Sequence, residues 1–202
     1  MGSMSREEIQ DDFDALRAVV SRILGHSYES LTNPERLGLL EVLEHETRRL
    51  QVPGHQLINQ VAEQAPPEEL GGKLSHVLAD RLRITRGEAN RRITEAADLG
   101  PRRALTGEAL PPVLTATAAA QRDGKLGAGH IQVIRRFFEQ LPCSVDIATR
   151  DCAETHLAKL ATQFRPDQVA KLADRLADCL NPDGTYTDED RARRRGLTLG
   201  AQ

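Results

Sequence analysis

Residues 74–97, LSHVLADRLRITRGEANRRITEAA, constrain this chain more than any other stretch. Leu74, Val77, Leu78 and Leu82 recur at helical spacing. Ile84 falls in a turn, and Ala89 and Ile93 give a second helix its apolar face. Thr85 with Glu88 three residues on has the form of a capping box: the Thr hydroxyl accepts the Glu backbone N–H, and the Glu carboxylate reaches back to the Thr N–H. Two short helices about a tight turn, crowded by basic residues, are the pattern of a DNA-reading helix-turn-helix. They are equally the pattern of a solvated helical corner.

The rest of the chain agrees with helix on helix. Aromatic residues make up 3% and Trp is absent, so a core must be built from Leu, Ile, Val and Ala. A β-sandwich would draw on aromatic and β-branched side chains instead. Ser5 and Glu8 form another capping box, after which Ile9, Phe13, Leu16, Val20 and Ile23 step by four, three, four and three. Gly25 ends that helix. Asn33-Pro34 opens the next, with Asn33 as cap and Pro34 in the first turn, and Leu37, Leu40, Leu43, Thr47 and Leu50 continue the seam. Such a hairpin docks on its own domain, forms a homodimer through the seam from Ile9 to Ile23, or serves as a mobile arm for a partner. Val52-Pro53-Gly54 reads as a break before a short helix over 55–64.

Helices are expected further on at 68–82, 86–99, 111–122, 129–140, 144–163 and 166–180. The expectation is all-α, with about nine helices, an N-terminal helical hairpin and a helix-turn-helix-like corner. Residues 1–4 read as a cloning scar, 5–65 as the hairpin with a short helix, 66–184 as a helical domain, and 185–202 as a charged linker.

Charge is unevenly placed. Residues 1–72 carry 6 basic and 13 acidic side chains, whereas residues 73–103 carry 8 and 4, a local +4 within a chain of net −3. A basic middle behind an acidic front fits local nucleic-acid contact and does not fit coating of DNA by bulk charge. Placing Ala89 and Ile93 inward turns Gly87, Arg91 and Glu95 outward, with Asn90, Arg92 and Thr94 on the flanks. Arg and Asn pair bidentately with guanine and adenine edges, so Arg86, Asn90 and Arg91 would read or grip DNA, with Arg81, Arg83 and Arg92 on phosphates. Glu95 and Asp98 are expected on the same exposed face, where they would repel DNA. A second polar set, His130, Gln132, Arg135 and Arg136, sits on the helix after Gly127 and Gly129, where a phosphate would dock or where the cations complement the helix dipole. Arg191, Arg193, Arg194 and Arg195 follow three acidic residues and read as linker.

No catalytic constellation emerges. There is no Gly-rich phosphate loop after a strand, no G-x-S-x-G, and Glu44-His45-Glu46 lacks the second His of a zinc helix. Cys143, Cys152 and Cys179 stand at wide spacings without a CxxC, so neither a metal, a cofactor nor a disulfide framework is expected. A reducing cytoplasm is the simplest compartment, at the nucleoid if DNA is bound. No apolar run approaches the roughly 18 residues of a membrane span, and no small-molecule substrate is implied.

LADRLRITRGEANRRI (78–93), QRDGKLGAGHIQVIRRFFEQLP (121–142), RLADCLNPDG (175–184) and RARRRGLTLG (191–200) together resemble the 13E12-repeat family, whose shared N-terminal part is the domain of unknown function 222. The resemblance implies a helical region placed ahead of an HNH endonuclease domain, in bacterial proteins tied to repetitive or mobile DNA. An HNH centre needs a His general base and further metal ligands. The six His of this chain are scattered singly, so the expectation is a non-catalytic module that binds or positions double-stranded DNA. The alternative is a protein-protein interaction domain.

Overall fold

The computed structural model describes residues 5–104 and 106–182. The arginine cluster at 191–195, the strand-like 196–200 and the linker at 185–202 lie outside the described residues. The described chain is mostly helical: α1 (Arg6–Leu24), α2 (Asn33–Arg49), α3 (Gln51–Gln64), a single turn α4 (Pro67–Leu70), α5 (Leu74–Leu82), α6 (Arg86–Leu99), α7 (Thr115–Arg122), α8 (Ala128–Gln140), α9 (Ile147–Ala161) and α10 (Pro166–Leu180). Between α6 and α7, β1 (Arg102–Arg103) pairs antiparallel with β2 (Ala109–Leu110), Arg102 opposite Leu110. The described residues divide into two compact units, with the boundary after Leu43.

In the first unit the Ser5 box forms in both directions. Ser5 Oγ accepts the Glu8 N–H at 3.1 Å, and the Glu8 carboxylate accepts the Ser5 N–H at 2.6 Å. At α2 the cap lies one residue earlier than Asn33. The Glu35 carboxylate accepts both the N–H and the hydroxyl of Thr32 at 2.7 Å, and Asn33 is already helical. Arg36 then donates to the Tyr28 and Glu29 carbonyls at 3.2 Å and ties down the connection. None of residues 5–43 is buried.

The second unit holds the core. Val52-Pro53-Gly54 does not break it: these residues form the first turn of α3, where Pro53 has no intrahelical N–H bond to lose. The Leu50 N–H still reaches the Glu46 carbonyl at 2.9 Å, so α2 runs almost directly into α3. Gly71, at φ +69, separates α4 from α5 within the expected single helix 68–82. α3 packs on α6, α5 on α6, and α7 to α10 close around Leu126, Ile131, Ile134, Leu157 and Val169, all fully buried.

Polar groups from distant positions complete this unit. α7 has no cap of its own. Glu154 of α9 supplies one, its carboxylate accepting the Ala116 N–H at 3.1 Å and the Thr117 N–H and hydroxyl at 2.6 Å each. Arg150 gathers the carbonyls of Leu141, Pro142 and Val145 at the start of α9. Asn59 of α3 donates to the carbonyls of Ala96 and Pro101, so it holds the end of α6 in place. Gly100 makes that contact possible, since a Cβ there would sit 2.5 Å from the Asn59 amide nitrogen.

Candidate nucleic-acid interface

The corner begins at the end of α5, whose cap is Arg83 at φ 54, ψ 46. This is the left-handed region that glycine prefers, and Arg83 is the only non-glycine there among the described residues. The Ile84 N–H closes back on the Ala79 carbonyl at 3.0 Å. Thr85 caps α6, accepting the Glu88 N–H at 3.1 Å.

The reciprocal half of the expected box is missing, because the Glu88 carboxylate is engaged elsewhere. It accepts from Arg91 at 2.7 and 2.8 Å and from Arg92 at 2.8 Å. These guanidiniums, Arg91 foremost, hold the Glu88 carboxyl at about 2, well below its usual value of 4.5. In return, Glu88 raises the pKa of Arg91 further above the ordinary range.

α6 is also rotated from the expected setting. Its buried residues are Ala89, Glu95, Ala96 and Leu99, while Ile93 is half-buried. Glu95 therefore points inward, where Arg91 donates to it from one turn back. Arg135 of α8 completes the group, with one nitrogen 4.0 Å from Glu95 and another 2.7 Å from Asp98. Arg135 is 12% exposed and Glu95 8%, so this pair is largely withdrawn from water. His55 of α3 is buried nearby and shares a 3.2 Å hydrogen bond with Gln121. Burial pushes its pKa below the usual 6.5, against the opposing hydrogen bond to Gln121.

The predicted residues thus fall into two groups. Arg91, Arg92 and Arg135 come together with Glu88, Glu95 and Asp98 in ion pairs within the fold. Arg81, Arg83, Arg86, Asn90 and Arg136 are exposed, and Arg81, Arg83 and Arg86 have no ion-pair partner among the described residues. His130 belongs with the fold: it is buried and bonds the Phe164 carbonyl at 2.9 Å. The outward stripe of α6 is Arg86, Gly87, Asn90, Thr94 and Ala97. It contains no acid, because Glu95 is buried and Arg135 takes up Asp98. Thr94 and Ala97, which sequence reasoning left aside, extend a low ridge along which a groove wall can approach. Their only signal was small size, at seven and ten residues from Gly87.

Among the described residues, no cluster of His, Cys, Asp or Glu is placed to hold a metal ion, and no helix is long and apolar enough to cross a membrane.

The model of the family described as Domain of unknown function (DUF222) matches residues 37–202. Uncharacterized protein Rv1128c of Mycobacterium tuberculosis strain H37Rv is 64% identical over 198 residues, which is 98% of this chain and 44% of that protein. Uncharacterized protein Mb1179c of Mycobacterium bovis is 55% identical over 202 residues, 100% of this chain and 44% of that protein. The chain spans less than half the length of the curated relatives it matches. No solved structure matches it.

Proposed function

We propose that this chain, which belongs to the DUF222 family, is a non-catalytic module that grips double-stranded DNA through the α5–α6 corner. In the longer proteins of this family it would position DNA for an HNH-type nuclease domain. The observation that carries the reading is the sorting of charge on α6. Every acid of the helix is drawn into ion pairs by Arg91, Arg92 and Arg135, which leaves an outward stripe of Arg86, Gly87, Asn90, Thr94 and Ala97. Arg86 and Asn90 stand one turn apart at the N-terminal end, where a recognition helix meets base edges. Arg81 and Arg83 at the preceding turn would hold phosphates. Arg91, Arg92 and Arg135 shape the corner and leave the DNA contacts to these residues.

Titration of a labelled duplex at low and moderate salt tests the reading. Affinity is expected to fall steeply with salt, with a log–log slope of about −0.9 per phosphate contacted. Arg86→Ala with Asn90→Ala should weaken binding at least tenfold. No binding at low salt, or full binding by that double variant, would overturn the assignment.

A further inference from the structure

Independently of the DNA reading, we infer that the α1–α2 hairpin is one half of an antiparallel four-helix bundle completed by a second copy of this chain. α1 and α2 approach each other where Val20, Ile23 and Leu24 face Leu43, and they leave most of their apolar side chains uncovered. Phe13 is 47% exposed, Val20 45%, Leu37 62%, Leu40 59% and Leu24 81%. Between α1 and α2 an apolar hollow of about 370 Å³ stays open, lined by Val20, Ile23, Leu24, Tyr28 and Leu43. Isolated exposed apolar residues are ordinary, but a contiguous face of them marks an interface.

Three observations select a second copy as the occupant. The first is that the seam is self-complementary. Measured from Leu16, its members lie at −7, −3, 0, +4 and +7, so reversing the helix lays Ile9 on Ile23, Leu16 on Leu16, and Phe13 beside Val20. This is the isologous pairing of a two-fold dimer, and it brings the Phe13 ring to the mouth of the partner's hollow.

The second is charge. Residues 6–14 carry one basic and five acidic side chains, net −4, and residues 15–26 carry two basic and no acidic ones, net +2. Antiparallel pairing sets each acidic half on a basic half, whereas parallel pairing would set −4 against −4.

The third is size. A face one 19-residue helix long (about 28 Å) and two helices wide (about 20 Å) offers about 600 Å² per copy, or about 1,200 Å² in total. That clears the roughly 1,000 Å² of a specific interface.

Sedimentation equilibrium of the 202-residue chain tests this, with the mass of a pair expected at micromolar concentration. Leu16→Glu places two carboxylates on the two-fold axis and should raise the dissociation constant at least tenfold. Because an apolar-to-charged change can disturb the hairpin, surface charge reversals supply a second arm. Asp11→Lys with Asp12→Lys, and separately Arg17→Glu with Arg22→Glu, should each weaken the pair, and mixing the two variants should restore it. Orientation is read by cross-linking with Cys143, Cys152 and Cys179 changed to Ser. Ala15→Cys should cross-link between copies. Glu7→Cys should not, since antiparallel pairing holds those positions about 27 Å apart along the axis.

Three outcomes overturn the inference. One is a monomeric chain whose hairpin amides resist hydrogen exchange, because the rest of the chain would then cover the face. Another is a monomer with unprotected hairpin amides. The third is equal cross-linking at both positions.

Discussion

Residues 5–43 and residues 44–182 are both helical, and both carry apolar residues at helical spacing, yet they dispose of those residues in opposite ways. The first unit buries none of its side chains, while the second buries Leu126, Ile134, Leu157 and Val169 completely. The difference is one of layers. α1 and α2 pack too sparsely on each other to bury a side chain, so their apolar stripes stay in water. In the second unit α8, α9 and α10 all contact one another, and a residue such as Leu157 is enclosed from several sides. Periodicity tells which face of a helix seeks cover. It does not tell how many partners the chain can bring to that face.

Cavity-forming substitutions should expose the contrast most strongly. Leu157→Ala is expected to cost about 2–5 kcal/mol in chemical denaturation of the second unit. Leu40→Ala, at a side chain 59% exposed, should cost under about 1 kcal/mol measured below the concentration at which copies associate. Equal losses would mean that the hairpin has a closed core of its own.

Ion pairs give the same contrast at a smaller scale. Arg135→Ala removes the partner of Asp98 and one of the two partners of buried Glu95, which keeps Arg91, and should destabilise by about 1.5–3 kcal/mol. Arg17→Ala breaks the Asp14–Arg17 pair, whose members are 52% and 76% exposed, and should change stability by less than about 0.5 kcal/mol. A double-mutant cycle over Arg135 and Asp98 against one over Arg17 and Asp14 makes the measurement.

Acid should act on the second unit in two steps. Burial holds the folded pKa of His55 below 6.5. Above that pH both states are neutral and His55 contributes nothing. As pH falls through 6.5 the unfolded chain binds a proton that the folded one refuses, so stability declines until the folded pKa is passed. Glu88 acts lower, with a folded value of about 2 against 4.5. Its contribution is complete above 4.5 and drains away as pH falls toward 2. Urea midpoints from pH 8 to pH 3 should decline below 6.5 and decline again below 4.5, and His55→Asn should remove the first decline.

Where local chemistry decides, the sequence was readable. Ser5 with Glu8, Pro166 at the start of α10 and the helix-turn-helix corner all stand where expected. The failures share a cause, which is a partner far along the chain. Glu95 was expected outward because Ala89 and Ile93 were set inward, but Arg135, forty residues away, makes an inward setting tolerable. Glu154 capping α7 and His130 bonding Phe164 are of the same kind. Arg91 and Arg92 are a more local case: both pair with Glu88, at spacings of three and four that the sequence displays.

Arg83→Gly sharpens the comparison with its smallest effect, and with a change of sign. The position is left-handed at φ 54, where a side chain with a Cβ is strained and glycine is at ease. The variant should therefore be more stable than the parent by about 0.5–1 kcal/mol, offset in part by the greater freedom glycine has in the unfolded chain. No internal ion pair is lost, because Arg83 has no partner among the described residues. An arginine kept at such a position stabilises nothing that the structure displays. If its guanidinium serves a phosphate, the same substitution that raises the melting temperature should weaken duplex binding and lower the salt slope by about one contact. A rise in stability with unchanged DNA affinity would separate Arg83 from the interface and leave Arg81, Arg86 and Asn90 to account for it.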